Sequence, residues 1–149
     1  MRPKRTLFLI ASEKLARLVL NEGVGKGVEE IDRIPVESVP DLPREYADDP
    51  GAETATRGDV GRHRFDPPTD LRTARRIAFA RYLGETLAER FEREGWDRLV
   101  LVAAPQMLGA LREHLPRALE EKLYGTLDKD LVHVETRDLD RHLGEVVAV

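Results

Sequence analysis

Arg98–Leu115, RLVLVAAPQMLGALREHL, decides how this chain is read. Leu99, Val100, Leu101 and Val102 form a short continuous apolar run, the pattern of a strand buried on both faces. Ala103 and Ala104 are small enough for a tight turn. Pro105 suits the first turn of a helix, where its missing N–H costs nothing. Met107, Leu108, Leu111 and Leu115 then recur at helical spacing, which lays that helix back on the sheet. A strand–turn–helix unit of this kind is the centre of an α/β domain.

Outward from that unit, the 149 residues suffice for one domain with a proper core, and residues 1–149 are read as one. The composition, 41% hydrophobic and 35% charged, is that of a soluble globular chain. No stretch approaches the roughly 20 apolar residues of a membrane span, so a membrane partner is not expected. Leu7–Ala11 is too short for a secretory core, and the expected location is the cytoplasm. The absence of cysteine excludes disulfides, thiol nucleophiles and cysteine-ligated metals. A net charge of −4 excludes a chain that attracts nucleic acid over its whole surface.

Before the central unit, Thr6–Ala11 reads as a central strand and Leu15–Leu20 as its hairpin partner across Ser12, Glu13 and Lys14. Gly23, Gly25 and Gly27 make a turn rather than a phosphate loop, because they lie between strands and not ahead of a helix. Val28–Val36 reads as a third strand with a bulge, since Val28, Ile31 and Ile34 do not alternate. Residues 35–68 form a long irregular loop, rich in proline and acidic up to Asp59. It is either solvated surface or a binding loop. Thr69 or Asp70 is placed to cap a helix after Pro67-Pro68, running to about Glu94, with Ile77, Ala80, Leu83, Gly84, Leu87 and Phe91 on one face. After the central unit come a short helix, Arg117–Leu123, and a peripheral strand, Thr126–Val134. A last helix follows, capped at Thr136 or Asp138, with Leu139, Leu143, Val146 and Val147 along its apolar edge. The result is an antiparallel βββ meander followed by α-β-α-β-α. That order gives a mixed five-stranded sheet of α/β class with ribonuclease-H-like topology.

That topology invites a metal nuclease, which needs clustered carboxylates. Thr6–Ala11 and Leu99–Val102 carry none; Ser12 and Glu13 come only at the end of the first strand. Asp128 and Asp130 stand in the predicted last strand without sequence partners. His63, His114, His133 and His142 lack metal-ligand spacing, and Ser12 and Ser38 have no base nearby in sequence. No catalytic residue, metal site or cofactor is therefore assigned, and an enzyme is not favoured. The remaining feature is basic. Arg62, His63, Arg64, Arg72, Arg75 and Arg76 join the end of the loop to the start of the long helix. Arginine forks and free helix N–H groups would together grip phosphates. The competing reading is a solvated face whose arginines pair with Glu85, Glu89, Glu92 or the acidic loop. Only Phe65, Phe79 and Tyr82 lie nearby, so single strands are not expected to stack there.

Several blocks resemble one bacterial family, the host attachment proteins, known as proteins required for attachment to host cells. They are Ala16-Arg17 after the first turn, Asp59-Val-Gly61-Arg62 in the loop, Phe79 in the long helix, Leu101-Val-Ala-Ala-Pro-Gln-Met-Leu-Gly-Ala-Leu-Arg112, and Lys129-Asp-Leu131. The resemblance spans essentially the whole chain, and the Ala-Pro…Leu-Gly-x-Leu-Arg block is its most specific part. It implies a non-enzymatic cytoplasmic protein that affects host association indirectly. Where the family's first strand ends in Asp, this chain has Ser12. The family is also similar to the middle domain of archaeal and eukaryotic peptide-chain release factors, which carry Gly-Gly-Gln on a mobile loop. Here the loop has separated Gly58 and Gly61, and the only glutamine is Gln106. Release chemistry by that route is not implied, while a ribosome or RNA partner stands as the alternative. The oligomeric state is left open.

Overall fold

The computed structural model describes residues 2–44 and 66–149. Five strands form one mixed sheet: β1 (Thr6–Ala11), β2 (Leu15–Asn21), β3 (Glu29–Pro35), β4 (Arg98–Ala103) and β5 (Leu123–Leu127), in the order β3-β2-β1-β4-β5. The first three pair antiparallel as a meander, and β1 then pairs in parallel with β4 and β4 with β5. The register between β2 and β3 slips at Leu18/Val19 and leaves Ile31 unpaired, which is the bulge that the broken alternation predicts.

Side chains alternate across this sheet into two cores. Leu7, Leu9, Leu18, Leu99 and Leu101 face helices α1 (Asp66–Glu94) and α2 (Pro105–Glu113), meeting Phe79, Leu83 and Leu87 from α1 and Met107 and Leu111 from α2. On the other face, Phe8, Ile10, Val19, Val100 and Val102 are covered by Leu131, Val132 and Val147 with Leu139 and Leu143 of α4 (Thr136–Leu143). Both faces of β1 and β4 are thus sealed, and each buried Leu or Phe contributes about 1.5–3 kcal/mol. No helix among the described residues is long and apolar enough to cross a membrane.

Five boundaries differ from the sequence reading, one being that α4 ends at Leu143, so Val146 and Val147 of its expected apolar edge lie beyond it. Helix α1 already runs from Asp66, so Pro67 and Pro68 belong to its first turn, where neither needs an N–H. The short helix α3 (Arg117–Glu120) stops early because Leu123 opens β5. The last strand is β5 and not Thr126–Val134. Leu131 and Val132 are buried under the sheet with their carbonyls bonded to a side chain, so they need no neighbouring strand. Asp128 and Asp130 therefore follow the last strand rather than sit in it. Finally, Glu135 holds the N-cap position of α4, because the Thr136 hydroxyl is taken by Arg17.

Candidate functional site: the cleft above β1 and β4

The chain leaves β1 toward β2 on one side of the sheet and leaves β4 toward β5 on the other. Between those diverging connections, at the carboxyl ends of two parallel strands, open α/β sheets leave a crevice. Here it is a cavity of about 410 Å³ lined by Ala11, Ser12, Glu13, Ala104, Pro105, Gln106, Met107 and Asp130. The wall from β4 exists because Ala103 and Ala104 admit a turn so tight that α2 begins at once. No side chain caps α2, which begins at Pro105 beside the cleft.

Two polar residues on the β1 side are already engaged. The Ser12 hydroxyl accepts the Lys14 and Leu15 N–H groups, each at 3.1 Å, and donates to the Leu15 carbonyl at 3.4 Å. It is a turn-forming group. The Glu13 carboxylate accepts Arg76 Nε at 2.9 Å, while Arg76 Nη2 donates to Gln106 Oε1 at 3.2 Å. Arg76, from α1, thus links Glu13 of the β1–β2 turn to Gln106 of α2, both of which line the cleft. Asp130 joins the lining from the far end of the sequence, which no local spacing signals.

The basic residues singled out in the sequence divide as follows. Arg62, His63 and Arg64 lie outside the described residues. Arg72 is exposed on the first turns of α1. Arg75 donates to the Pro43 carbonyl at 2.8 Å and so holds the far side of the long connection against α1. Arg76 is the one brought to the cleft. Among the described residues, no three His, Cys, Asp or Glu side chains converge to hold a metal ion.

A residue that the sequence offers only as half of the Ala16-Arg17 pair, with no role attached, organises the segment behind the cleft. Arg17, in β2, is 1% exposed. Its Nε donates to Glu30 at 2.6 Å, Nη1 to the carbonyls of Leu131 (3.2 Å), Val132 (3.1 Å) and Val134 (2.6 Å), and Nη2 to Thr136 Oγ1 at 3.0 Å. Those bonds pin residues 131–136, and Asp130 is carried at the edge of what they pin. An arginine inside LARLVL, a run buried on both faces, was the signal: a charge there must find partners. Glu30 also accepts Arg33 Nε at 2.7 Å. Burial works against its charge, but the hydrogen bonds from Arg33 and Arg17 outweigh it and keep the carboxyl below its ordinary value.

Comparison with solved structures finds an archaeal protein that superposes on 97% of this chain with a TM-score of 0.52 and 11% sequence identity. The chain spans 35% of that protein's length, and at this identity the likeness concerns the fold alone. Comparison with curated proteins finds no match. The family model described as "Protein required for attachment to host cells" matches residues 7–143. With nearly its whole length matched, from β1 through α4, the chain belongs to that family.

Proposed function

We propose that this chain is a non-enzymatic cytoplasmic binding protein, which affects host association indirectly through a partner held at the cleft above β1 and β4. The observation that carries this is the occupation of the cleft's polar groups. Ser12 is spent on its own turn and Glu13 on Arg76, so the site is built to present a fixed surface. Arg76→Ala removes the link between Glu13 and Gln106 without touching either core. The variant is expected to stay folded, lose its partner, and lower host association of the producing cells. Normal association by folded Arg76→Ala protein would overturn the reading.

A second reading, favoured by the exposed Arg72 beside Arg75 and Arg76, is that the partner is ribosomal or transfer RNA. The segment 45–65 falls between β3 and α1, where the release-factor resemblance places Gly-Gly-Gln. The strand order β3-β2-β1-β4-β5 also agrees with a ribonuclease-H-like fold of that kind. Because Arg75 and Arg76 hold the fold's own groups, the cleaner test removes Arg62 and Arg72. Co-sedimentation of wild type with ribosomes should fall steeply with salt, since phosphate contacts release counterions. Arg62→Ala with Arg72→Ala should reduce it severalfold at low salt. Salt-independent or absent association would sink this reading.

A further inference from the structure

The sheet has two edges, and the chain treats them differently. At one edge, β3 carries Glu29, Glu30, Asp32 and Arg33, is bulged against β2, and finishes on Pro35. Charge, bulge and proline are the devices that keep an edge from pairing with another chain. At the other edge, β5 reads LYGTL, with neither a charge nor a proline. Its register with β4 slips once, between Leu99 and Val100, after which Gly125, Thr126 and Leu127 pair in step with Val100, Leu101 and Val102. Among the described residues no strand lies on its outer side. An edge of that kind presents a row of unpaired N–H and C=O groups, a template for one more strand.

The residues around β5 indicate which strand fits. Glu121–Lys129 reads EKLYGTLDK, with Gly125 at its centre. Laid antiparallel against a second copy about Gly125, Lys122 stands opposite the second copy's Asp128, Leu123 opposite Leu127, and Tyr124 opposite Thr126. Glu121 and Lys129 extend the match at either end. A parallel arrangement would set each charge against itself, so the charges select one direction. Lys122 and Asp128 are both exposed and form no ion pair among the described residues, whereas Lys129 already meets Glu145 at 2.6 Å. The like-charged pair one step further out, Glu120 and Asp130, falls outside the strand, since Glu120 belongs to α3. Tyr124 adds apolar surface to this edge: it is 53% exposed, and the Arg98 guanidinium lies 4.4 Å from its ring centroid.

We infer that two copies of this chain pair through antiparallel β5 strands, joining their sheets edge to edge across a twofold axis at Gly125. Backbone hydrogen bonds along LYGTL hold the pair, and Lys122 with Asp128 fixes its direction and register at both ends.

Sedimentation velocity of the wild-type chain, from micromolar to millimolar concentration, should show monomer giving way to dimer. Lys122→Asp and Asp128→Lys each set like charges against one another twice, and each should weaken the dimer about tenfold. Combining the two restores opposite charges and should return the affinity to within about threefold of wild type. Emission from buried Trp96 reports that each variant is folded. Amide exchange at Leu123–Leu127 in the wild type should slow as protein concentration rises, a readout that needs no substitution. A wild type that stays monomeric throughout, exchange indifferent to concentration, or a dimer insensitive to either single swap would overturn the inference. Failure of the combined variant to recover would overturn the antiparallel pairing of Lys122 with Asp128.

Discussion

Arg17 concentrates the most chemistry in the smallest space. Removing it leaves the buried carbonyls of Leu131 and Val132 and the half-buried carbonyl of Val134 without their donor and Glu30 with Arg33 alone, and orphaning the two buried acceptors costs roughly 2–6 kcal/mol. Arg17→Met is therefore expected to lower stability by that amount. Arg17→Lys should rescue little, because an ammonium cannot reproduce a planar fork. Trp96, the single tryptophan, is buried against Phe91, so its emission in a denaturant titration reads the change. Glu30 carries a pH consequence. Its carboxyl lies below the ordinary value of 4.5, so the unfolded chain takes up the proton first as acid is added. The stability it contributes is present above pH 4.5 and is lost as pH falls through the folded value. Asp97 acts in the same sense, held low chiefly by the Arg5 backbone N–H at 2.8 Å and also by Arg2. Denaturation midpoints should hold steady above about pH 5 and fall below 4.5. In Glu30→Gln the fall should be shallower; an unchanged slope would show that Glu30 does not contribute.

Among the elements, those whose apolar pattern has a single solution were legible. TLFLIA and RLVLVA are too short for helices and too apolar for an exposed edge, and they became the two central strands. Met107, Leu108, Leu111 and Leu115 were placed on the sheet by helical spacing and are all buried. DLVHV misled because its apolar residues are buried by a long-range tether rather than by strand pairing, which local pattern cannot distinguish. The packing of α1 makes its own prediction. Gly84 lets Pro116 and the His114 carbonyl come close, and an added methyl would meet the carbonyl at 3.3 Å as well as the ring. Gly84→Ala should cost about 1–3 kcal/mol despite alanine's better helix propensity. Thermal unfolding measures it, and an unchanged midpoint would mean that α1 and α3 separate freely.

At the scale of the whole molecule, the mixed sheet and its division into a meander and a parallel half followed from the order of elements. The cleft did not. Glu13 and Asp130 stand far apart in sequence, and a site assembled from opposite ends of a chain leaves no spacing to read. The arginines were visible as a cluster, but their separate duties were not: Arg75 holds Pro43, Arg76 holds Glu13 and Gln106, and Arg72 is exposed.

The Arg17 tether also sets an order in time. Its carbonyl partners Leu131, Val132 and Val134 follow it by 114 to 117 residues. At about 5–20 residues per second, a nascent chain waits roughly 6–25 s between making the arginine and making its acceptors. Until then the second face of the meander holds a cation it cannot bury, and the half-made protein stays open to chaperones and proteases. Closure of that face is a late event of biosynthesis, and an interrupted chain is marked as unfinished by a single guanidinium.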